Sequence, residues 1–258
     1  MKNIITLIYL GMLFSCQNNS PIEAEVTDNY MAGTITIGST ISYKKNQEIK
    51  RNDIIAFKSP ISQKISCLRV AGLPGEKIEI RNGILFIDKQ KYQLSENTKM
   101  IYTVISKKPS NFMELRKKYE FKEYSQNYGM VKVTQNEFDE IVNAKMVDSI
   151  YKLGFDSNYI YPQMLKVSTS KKFNHFYFGP IFIPRIGDTI FAKDKMLVNN
   201  FLGFKNDYLI IKESTYFCIG DSFSDAMDSR VIGLIPQTAI LGKVNLITKA
   251  KVINIHAN

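Results

Sequence analysis

The sequence predicts a mainly β protein with a partly helical insertion. Short runs of β-branched and apolar residues occur near both ends of the chain, and a charged, helix-prone region separates them. The chain has 258 residues, of which 45% are hydrophobic and 22% are charged, as in an ordinary globular protein. We therefore expect a β core formed by residues 28–94 and 173–250, with an inserted α/β subdomain at residues 95–172.

Strands are predicted wherever β-branched and aromatic runs are bounded by turn residues. In the first part of the core these runs are residues 34–41, 53–57, 64–71, 77–80 and 84–87. In the second part they are residues 176–183, 189–191, 208–211, 216–219 and 241–247. The pair Asn82-Gly83 lies between two of the runs and predicts a hairpin, because both residues tolerate the positive φ of a type I′ turn.

Helices are predicted within the insertion, at residues 111–124 and 134–153. Thr134 and Glu137 have the spacing of a capping box, in which each side chain bonds the backbone of the other residue. Phe138, Ile141 and Met146 follow at helical spacing.

The N-terminus has the pattern of an export signal. Lys2 precedes an apolar run at residues 4–14, which is shorter than the roughly 20 residues that a membrane-spanning helix needs. The run ends in Leu-Phe-Ser before Cys16, which resembles a bacterial lipobox. We predict a lipoprotein signal peptide at residues 1–15, a lipidated Cys16 and a tether at residues 16–27. The chain would then be held in the bacterial cell envelope by a lipid anchor; a plain secretory signal with a chance cysteine is the alternative.

Charge and metal-ligand patterns suggest neither nucleic acid nor a metal as a partner. The net charge of +10 comes from scattered lysines, without the basic and aromatic stripe that is typical of nucleic-acid-binding surfaces. His175 and His256 lie in no ligand-spaced cluster, so each is expected to be a lone exposed histidine, and no cofactor is implied. Cys67 and Cys218 are either a disulfide, as an exported chain permits, or two buried free thiols.

Four further stretches, taken in order, carry a family resemblance. They are YMAGTITIGS at residues 30–39, RNDIIAF at 51–57, LRVAGLPGE at 68–76 and GDSFSDAMDSR at 220–230. In this order and spacing they resemble four sequence boxes of the bacterial type I signal peptidases, membrane-bound endopeptidases that use a serine and a lysine. We call them boxes one to four. The resemblance covers about residues 28–247 and implies a core of antiparallel sheets with a shallow peptide cleft.

The resemblance also implies that the catalytic positions are degenerate. Tyr30 stands at the nucleophile position and Leu68 at the position of the lysine base. Ala226 replaces the serine that orients the lysine, and Asp28 replaces the side-chain oxyanion donor. A leucine cannot accept a proton, and a carboxylate would repel a developing oxyanion. In box one, Gly33 also replaces a proline of the family pattern.

Residues that serve loop geometry remain in place. They are Gly72, Pro74 and Gly75 in box three, and Asp221, Asp228, Ser229 and Arg230 in box four. We predict an ion pair or hydrogen-bond network between Asp228 and Arg230 that shapes the loop. The cleft would thus keep its form without a working dyad.

Three functions remain open from the sequence. The first is a non-catalytic homologue that binds an extended peptide or an envelope protein partner by strand addition. The second is an active signal peptidase with a relocated dyad, for which Ser39 and Lys64 are the most plausible pair. The third is a structural lipoprotein subunit of an envelope complex that makes its contacts through the insertion.

Overall fold

The computed structural model describes residues 20–122, 125–152, 173–198, 202 and 207–248. Most of the regular structure in these residues is strand. The strands are β1 (Ile22–Glu25), β2 (Thr40–Lys44), β3 (Ile54–Lys58), β4 (Ile65–Gly72), β5 (Lys77–Arg81), β6 (Ile84–Ile87), β7 (Gln90–Tyr92), β8 (Met100–Ser106), β9 (Phe121–Lys122), β10 (Tyr128–Val133), β11 (Val147–Lys152), β12 (Phe178–Phe182), β13 (Thr189–Phe191), β14 (Tyr208–Ile210), β15 (Thr215–Ile219), β16 (Ile235–Pro236) and β17 (Ile240–Thr248). The α-helices are α1 (Pro109–Lys118), α2 (Gln135–Asn143) and α3 (Ser229–Ile232).

Two antiparallel sheets form the core. The larger has seven strands in the order β1-β2-β17-β3-β4-β15-β16, and the smaller has four in the order β12-β5-β6-β7. A main apolar cluster lies between them, and it includes Ile55, Phe57, Leu68, Val70, Ile78, Ile80, Phe178 and Phe217. A small apolar cluster covers the other face of the larger sheet, and it consists of Val26, Met31, Ile35, Ile41, Tyr43, Ala56 and Cys67. Neighbouring residues on β4 therefore serve different clusters, as the two-residue period of a strand requires.

The hairpin predicted at Asn82-Gly83 is confirmed. β5 and β6 pair directly up to Arg81 and Ile84, which leaves two residues for the turn. Asn82 has φ 50° and Gly83 has φ 72°, the positive values of a type I′ turn.

The insertion contains its own sheet and apolar cluster. Its strands have the order β11-β8-β10-β9, and α1 and α2 pack beside them. The insertion cluster consists of Tyr102, Val104, Phe112, Leu115, Tyr119, Phe121, Val131, Val133 and Ile141. The capping box is confirmed, since the Thr134 and Glu137 side chains each bond the other's backbone.

Three predicted elements were wrong in extent. The helix expected at 111–124 ends at Lys118, because Tyr119 is extended and the chain then pairs with β10 as β9. The helix expected at 134–153 ends at Asn143, because Lys145 takes a φ of 55° and the chain then pairs with β8 as β11. The strand expected at 34–41 begins only at Thr40. A tight turn precedes it, in which the Thr34 N–H bonds the Met31 carbonyl at 2.7 Å and Gly38 has φ 79°.

Burial and geometry decide between the two alternatives for the cysteines and correct the expectation for His175. Cys67 and Cys218 are free buried thiols, not a disulfide. Cys67 belongs to the small cluster and Cys218 to the main cluster, so their side chains leave the sheet on opposite faces, a geometry that no disulfide spans. His175 is only 1% exposed, whereas an exposed histidine was expected, because it lies beneath the loop of box four.

The N-terminal predictions fall outside the described residues. The signal peptide, the lipidated Cys16 and the start of the tether lie there, as does His256. Among the residues that the structure describes, no helix is long and apolar enough to cross a membrane.

Candidate functional site

Boxes one and four meet through their backbones. The Tyr30 carbonyl accepts a hydrogen bond from the Ser222 N–H at 2.9 Å. A Cβ on Gly220 would lie 2.4 Å from both the Tyr30 carbonyl oxygen and the Ala226 Cβ. Gly220 therefore allows the backbone of Tyr30 and the side chain of Ala226 to approach each other closely, and an alanine has no group that could orient a base.

The base position is filled by core packing. The Leu68 side chain is 0% exposed and lies in the main cluster, on β4 opposite Ile55. The half-buried Tyr30 side chain packs against the same cluster. Burying a leucine side chain stabilises a fold by roughly 1.5–3 kcal/mol, whereas a lysine here would have to be neutral or paired. Position 68 now contributes to stability and offers no proton acceptor.

The position of the oxyanion donor carries a half-buried carboxylate. Asp28 accepts a hydrogen bond from the Tyr30 N–H at 3.2 Å. Burial raises the pKa of Asp28, and interactions with Ser66 and with the Tyr30 amide oppose that rise. Burial, and secondarily the charge of Asp28, raises the pKa of the Tyr30 phenol and takes that of the Cys67 thiol to about 12. Neither group is an activated nucleophile near neutral pH, because each is held in its protonated form.

One guanidinium connects all four boxes. Arg69 of box three binds Asp221 of box four with two nitrogens, at 2.9 Å to Oδ1 and 2.7 Å to Oδ2. The same group donates to the Thr34 hydroxyl of box one at 3.3 Å and to the Asn52 carbonyl of box two at 3.0 Å. Thr34 in turn donates to Asp221. The retained Asp221 thus helps to hold the cleft together. Sequence reasoning did not single out Arg69, because its partners are remote along the chain.

The predicted pairing of Asp228 with Arg230 is present in the structure, and both side chains are 0% exposed. Asp228 also accepts from the Gly220 N–H at 3.0 Å, which ties the pair to the start of box four. The Arg230 guanidinium donates to the carbonyls of His175 at 2.9 Å and Phe223 at 2.8 Å. These charge-assisted bonds satisfy the buried charges and fix the path of the loop.

The other retained residues hold the backbone close. The Ser229 hydroxyl accepts from the Cys218 N–H at 2.9 Å. A Cβ on Gly72 would lie 2.5 Å from the Ile183 side chain. Pro74 and Gly75 form the turn after β4, where Gly75 has φ 92° and donates to the Ile183 carbonyl at 2.7 Å. Box three therefore joins the two core sheets.

The segment that leads into β8, and so into the insertion, lies against boxes one and four. The Lys99 N–H donates to the Asp221 carbonyl at 2.6 Å, and the Phe223 N–H donates to the Lys99 carbonyl at 3.0 Å. A Cβ on Gly33 would lie 1.7 Å from the Asn97 carbonyl oxygen. This contact explains the glycine that replaces the family proline, because no side chain fits at position 33.

The structure does not join the pair Ser39 and Lys64 through any hydrogen bond in its described residues. The Ser39 hydroxyl is buried and lies 3.1 Å from the Thr36 hydroxyl, while Lys64 is exposed beyond the end of β3. Ser39 therefore has a local structural partner in Thr36, and the Lys64 side chain is exposed to solvent.

A different hydroxyl and amine are in contact, namely Ser222 and Lys132. The Lys132 Nζ lies 3.0 Å from the Ser222 Oγ. Both groups also bind Asp225, to which the Ser222 hydroxyl donates at 2.6 Å. Ser222 is 0% exposed and the Lys132 amine is paired with the Asp225 carboxylate, so the trio braces the insertion against box four. Sequence reasoning missed this contact because Lys132 lies on β10, far along the chain.

Within the described part of the chain, no three His, Cys, Asp or Glu side chains cluster as metal ligands, so the structure offers no candidate metal centre there.

Comparisons with known proteins agree with the boxes. A family model described as "Signal peptidase, peptidase S26" matches residues 2–249. Signal peptidase I of Buchnera aphidicola subsp. Baizongia pistaciae (strain Bp) is 26% identical over 207 residues, which cover 76% of this chain and 54% of that protein. Signal peptidase I of Buchnera aphidicola subsp. Schizaphis graminum (strain Sg) is 25% identical over 244 residues, covering 86% of this chain and 66% of that protein. The chain thus spans between about half and two thirds of the length of these relatives.

A crystal structure of a signal peptidase I from Enterococcus faecalis V583 is 18% identical, with a TM-score of 0.33, and the match covers 77% of this chain and 98% of that one. The family assignment does not depend on this likeness. The family model covers nearly the whole sequence, and the four boxes found in the sequence meet around one guanidinium in the fold. On these grounds the chain belongs to the signal peptidase family, peptidase S26.

Proposed function

We propose that this chain is a non-catalytic, lipid-anchored member of the family that binds an extended peptide or an envelope protein partner. One observation carries the loss of catalysis: the base position is a fully buried leucine beside a tyrosine at the nucleophile position. Peptide-bond cleavage by a serine–lysine pair requires a base that takes the proton from the attacking hydroxyl. Leu68 cannot do so.

Tyr30 and Asp28 also raise the free-energy barrier to peptide-bond cleavage. The raised pKa of the Tyr30 phenol means that removing its proton costs more than for a phenol in water. An ionised Asp28 would repel the oxyanion that develops during attack on a carbonyl. Both substitutions oppose the transition state of the ancestral reaction, yet neither disturbs the packing of boxes three and four.

A role in binding is supported by the exposed edge of the large sheet. β1 is the first strand of that sheet and leads directly into Asp28 and Tyr30. The Val26 N–H bonds inward to the Ser39 carbonyl at 2.9 Å, so the preceding N–H, that of Glu25, faces away from β2. An edge with free backbone groups next to a cleft can accept an extended peptide as an added strand.

Anchoring in the cell envelope rests on family membership and on the sequence. The signal peptidase I family is membrane-associated in the envelope. The lipobox-like Leu-Phe-Ser before Cys16 supports attachment of this chain by lipid.

Strand addition is tested with the full chain and a fluorescent signal-sequence peptide that contains an Ala-x-Ala site. Glu25→Pro removes the outward N–H, while Glu25→Ala is the matched control that keeps it. We expect Glu25→Pro to weaken binding about threefold to tenfold in fluorescence anisotropy, and Glu25→Ala to bind like the parent protein. Equal binding by all three proteins would argue against the β1 edge. A parent protein that does not bind would favour a structural subunit that acts through its insertion.

An active peptidase with a relocated dyad is the competing candidate, and the contact of Ser222 with Lys132 is the observation in its favour. The burial of Ser222 and the pairing of Lys132 with Asp225 argue that this contact braces the insertion instead. A relocated dyad predicts that a preprotein is cut, whereas a structural brace predicts that it stays intact.

A further inference from the structure

A cavity of about 550 Å³ lies between the smaller core sheet and the sheet of the insertion. Leu85 and Leu94 line it from the core side, and Met100, Tyr102 and Val133 line it from the insertion side. This volume falls within the range of small-molecule sites, which are mostly apolar with a few polar groups that orient the ligand. The cavity is separate from the degenerate catalytic positions, none of which lines it.

Lys152 supplies a cationic group to this cavity. It is the last residue of β11, opposite Tyr102 on β8. The side chain is half-buried, and its Nζ lies 3.6 Å from the place of a Cβ on Gly83. Within the described residues the structure shows no hydrogen bond or ion pair for this amine, and burial lowers its pKa. A half-buried ammonium without a counterion is costly, so the site favours an anion that would complete it.

The other charged side chains of the cavity do not act as a counterion for Lys152. Lys91 and Glu96 also line it, but both are exposed. The described walls therefore combine a half-buried amine at one point with an apolar surface contributed by two sheets, to which Gln93, Ser95, Thr98 and Gln135 add polar groups. A ligand that matches both has one negative group and an aliphatic body.

We propose that this cavity binds an aliphatic monocarboxylate, with its carboxylate on Lys152 and its chain along Leu85, Leu94, Met100 and Val133. The carboxylate supplies the missing counterion, and the chain removes apolar wall from water. This site is independent of the peptide-binding function, since it uses neither the β1 edge nor the cleft.

The first test measures the reactivity of individual lysines in the full chain held in lipid nanodiscs. An amine-acylating reagent attacks the neutral amine, so a bound carboxylate that keeps Lys152 charged and covered slows its modification. Octanoate is the probe, and 1-octanol, of equal chain length, is the neutral control. Peptide mass spectrometry compares Lys152 with the exposed Lys91. We expect octanoate at saturation to slow modification of Lys152 roughly tenfold and to leave Lys91 unchanged.

The second test measures binding of radiolabelled octanoate by equilibrium dialysis, with empty nanodiscs as the blank. Lys152→Met keeps the aliphatic stem but removes the charge, and Lys91→Met is the matched control. We expect Lys152→Met to bind octanoate about tenfold more weakly and Lys91→Met to bind like the parent. The proposal is overturned if octanoate protects neither lysine or both equally, if octanol protects as well as octanoate, or if the two variants bind alike.

Discussion

The buried polar residues beneath box four show how single side chains keep the loop in place without catalysis. Arg230 is wholly buried, and its guanidinium lies 4.2 Å from the centroid of the Phe223 ring. Breaking a buried ion pair such as that of Asp228 with Arg230 typically costs about 3–5 kcal/mol, because a charge is left without its partner. Retention of these residues is thus explained by stability alone.

His175 gives this region a pH dependence. Burial, followed by the charge of Arg230, lowers the pKa of His175 from 6.5 to about 4. Between these values the unfolded chain binds a proton that the folded chain does not, so folding stability is complete above pH 6.5 and falls as the pH drops towards 4.

We therefore expect the free energy of unfolding to fall by about 2 kcal/mol from this residue between pH 8 and pH 5. Urea unfolding across this range measures it. His175→Gln should flatten the slope, whereas His256→Gln, at the other histidine, should leave it unchanged. If His175→Gln kept the pH dependence of the parent protein's free energy of unfolding, the assignment of this dependence to His175 would be contradicted.

At the level of elements, the segment that leads into β8 is part of the cleft region. Its Asn97 carbonyl occupies the space of a side chain at position 33, and Lys99 pairs with box four. We expect Gly33→Ala to lower the free energy of unfolding by about 1–3 kcal/mol, because an added methyl group overpacks this contact. Urea unfolding gives the change, and hydrogen exchange at the Lys99 amide should speed up. The exposed neighbour Asn29→Ala is the control; Gly33→Ala with unchanged stability and exchange would contradict the close approach.

Local sequence signals predicted some elements well and others poorly. The Asn82-Gly83 hairpin and the capping box of α2 are short-range features, and both were predictable. β11 was missed because Met146 continues the helical spacing, while pairing with β8 decides the structure. Residues 34–37 are β-branched but lie in a stretch of turns, since the bonds around Thr34 and Gly38 outweigh strand propensity.

At the level of the whole molecule, the family could be identified from the sequence because the resemblance lies within four ordered boxes. The contacts that join the boxes could not. Arg69 reaches Asp221 across 152 positions, and Lys132 reaches Ser222 across 90. Such contacts depend on how the sheets assemble, and no local pattern encodes them. They join the boxes into one region, in which Leu68 is buried in the main cluster.

The claim that this cleft no longer catalyses is tested most directly by a cleavage assay. The full chain, purified in detergent, is mixed with a preprotein that carries an Ala-x-Ala site, beside a working signal peptidase as the positive control. Mass spectrometry reads the products, and we predict that the preprotein stays intact. A cut at the signal site that disappears in Ser222→Ala and Lys132→Ala, or in Ser39→Ala and Lys64→Ala, would contradict this account and reveal a relocated dyad.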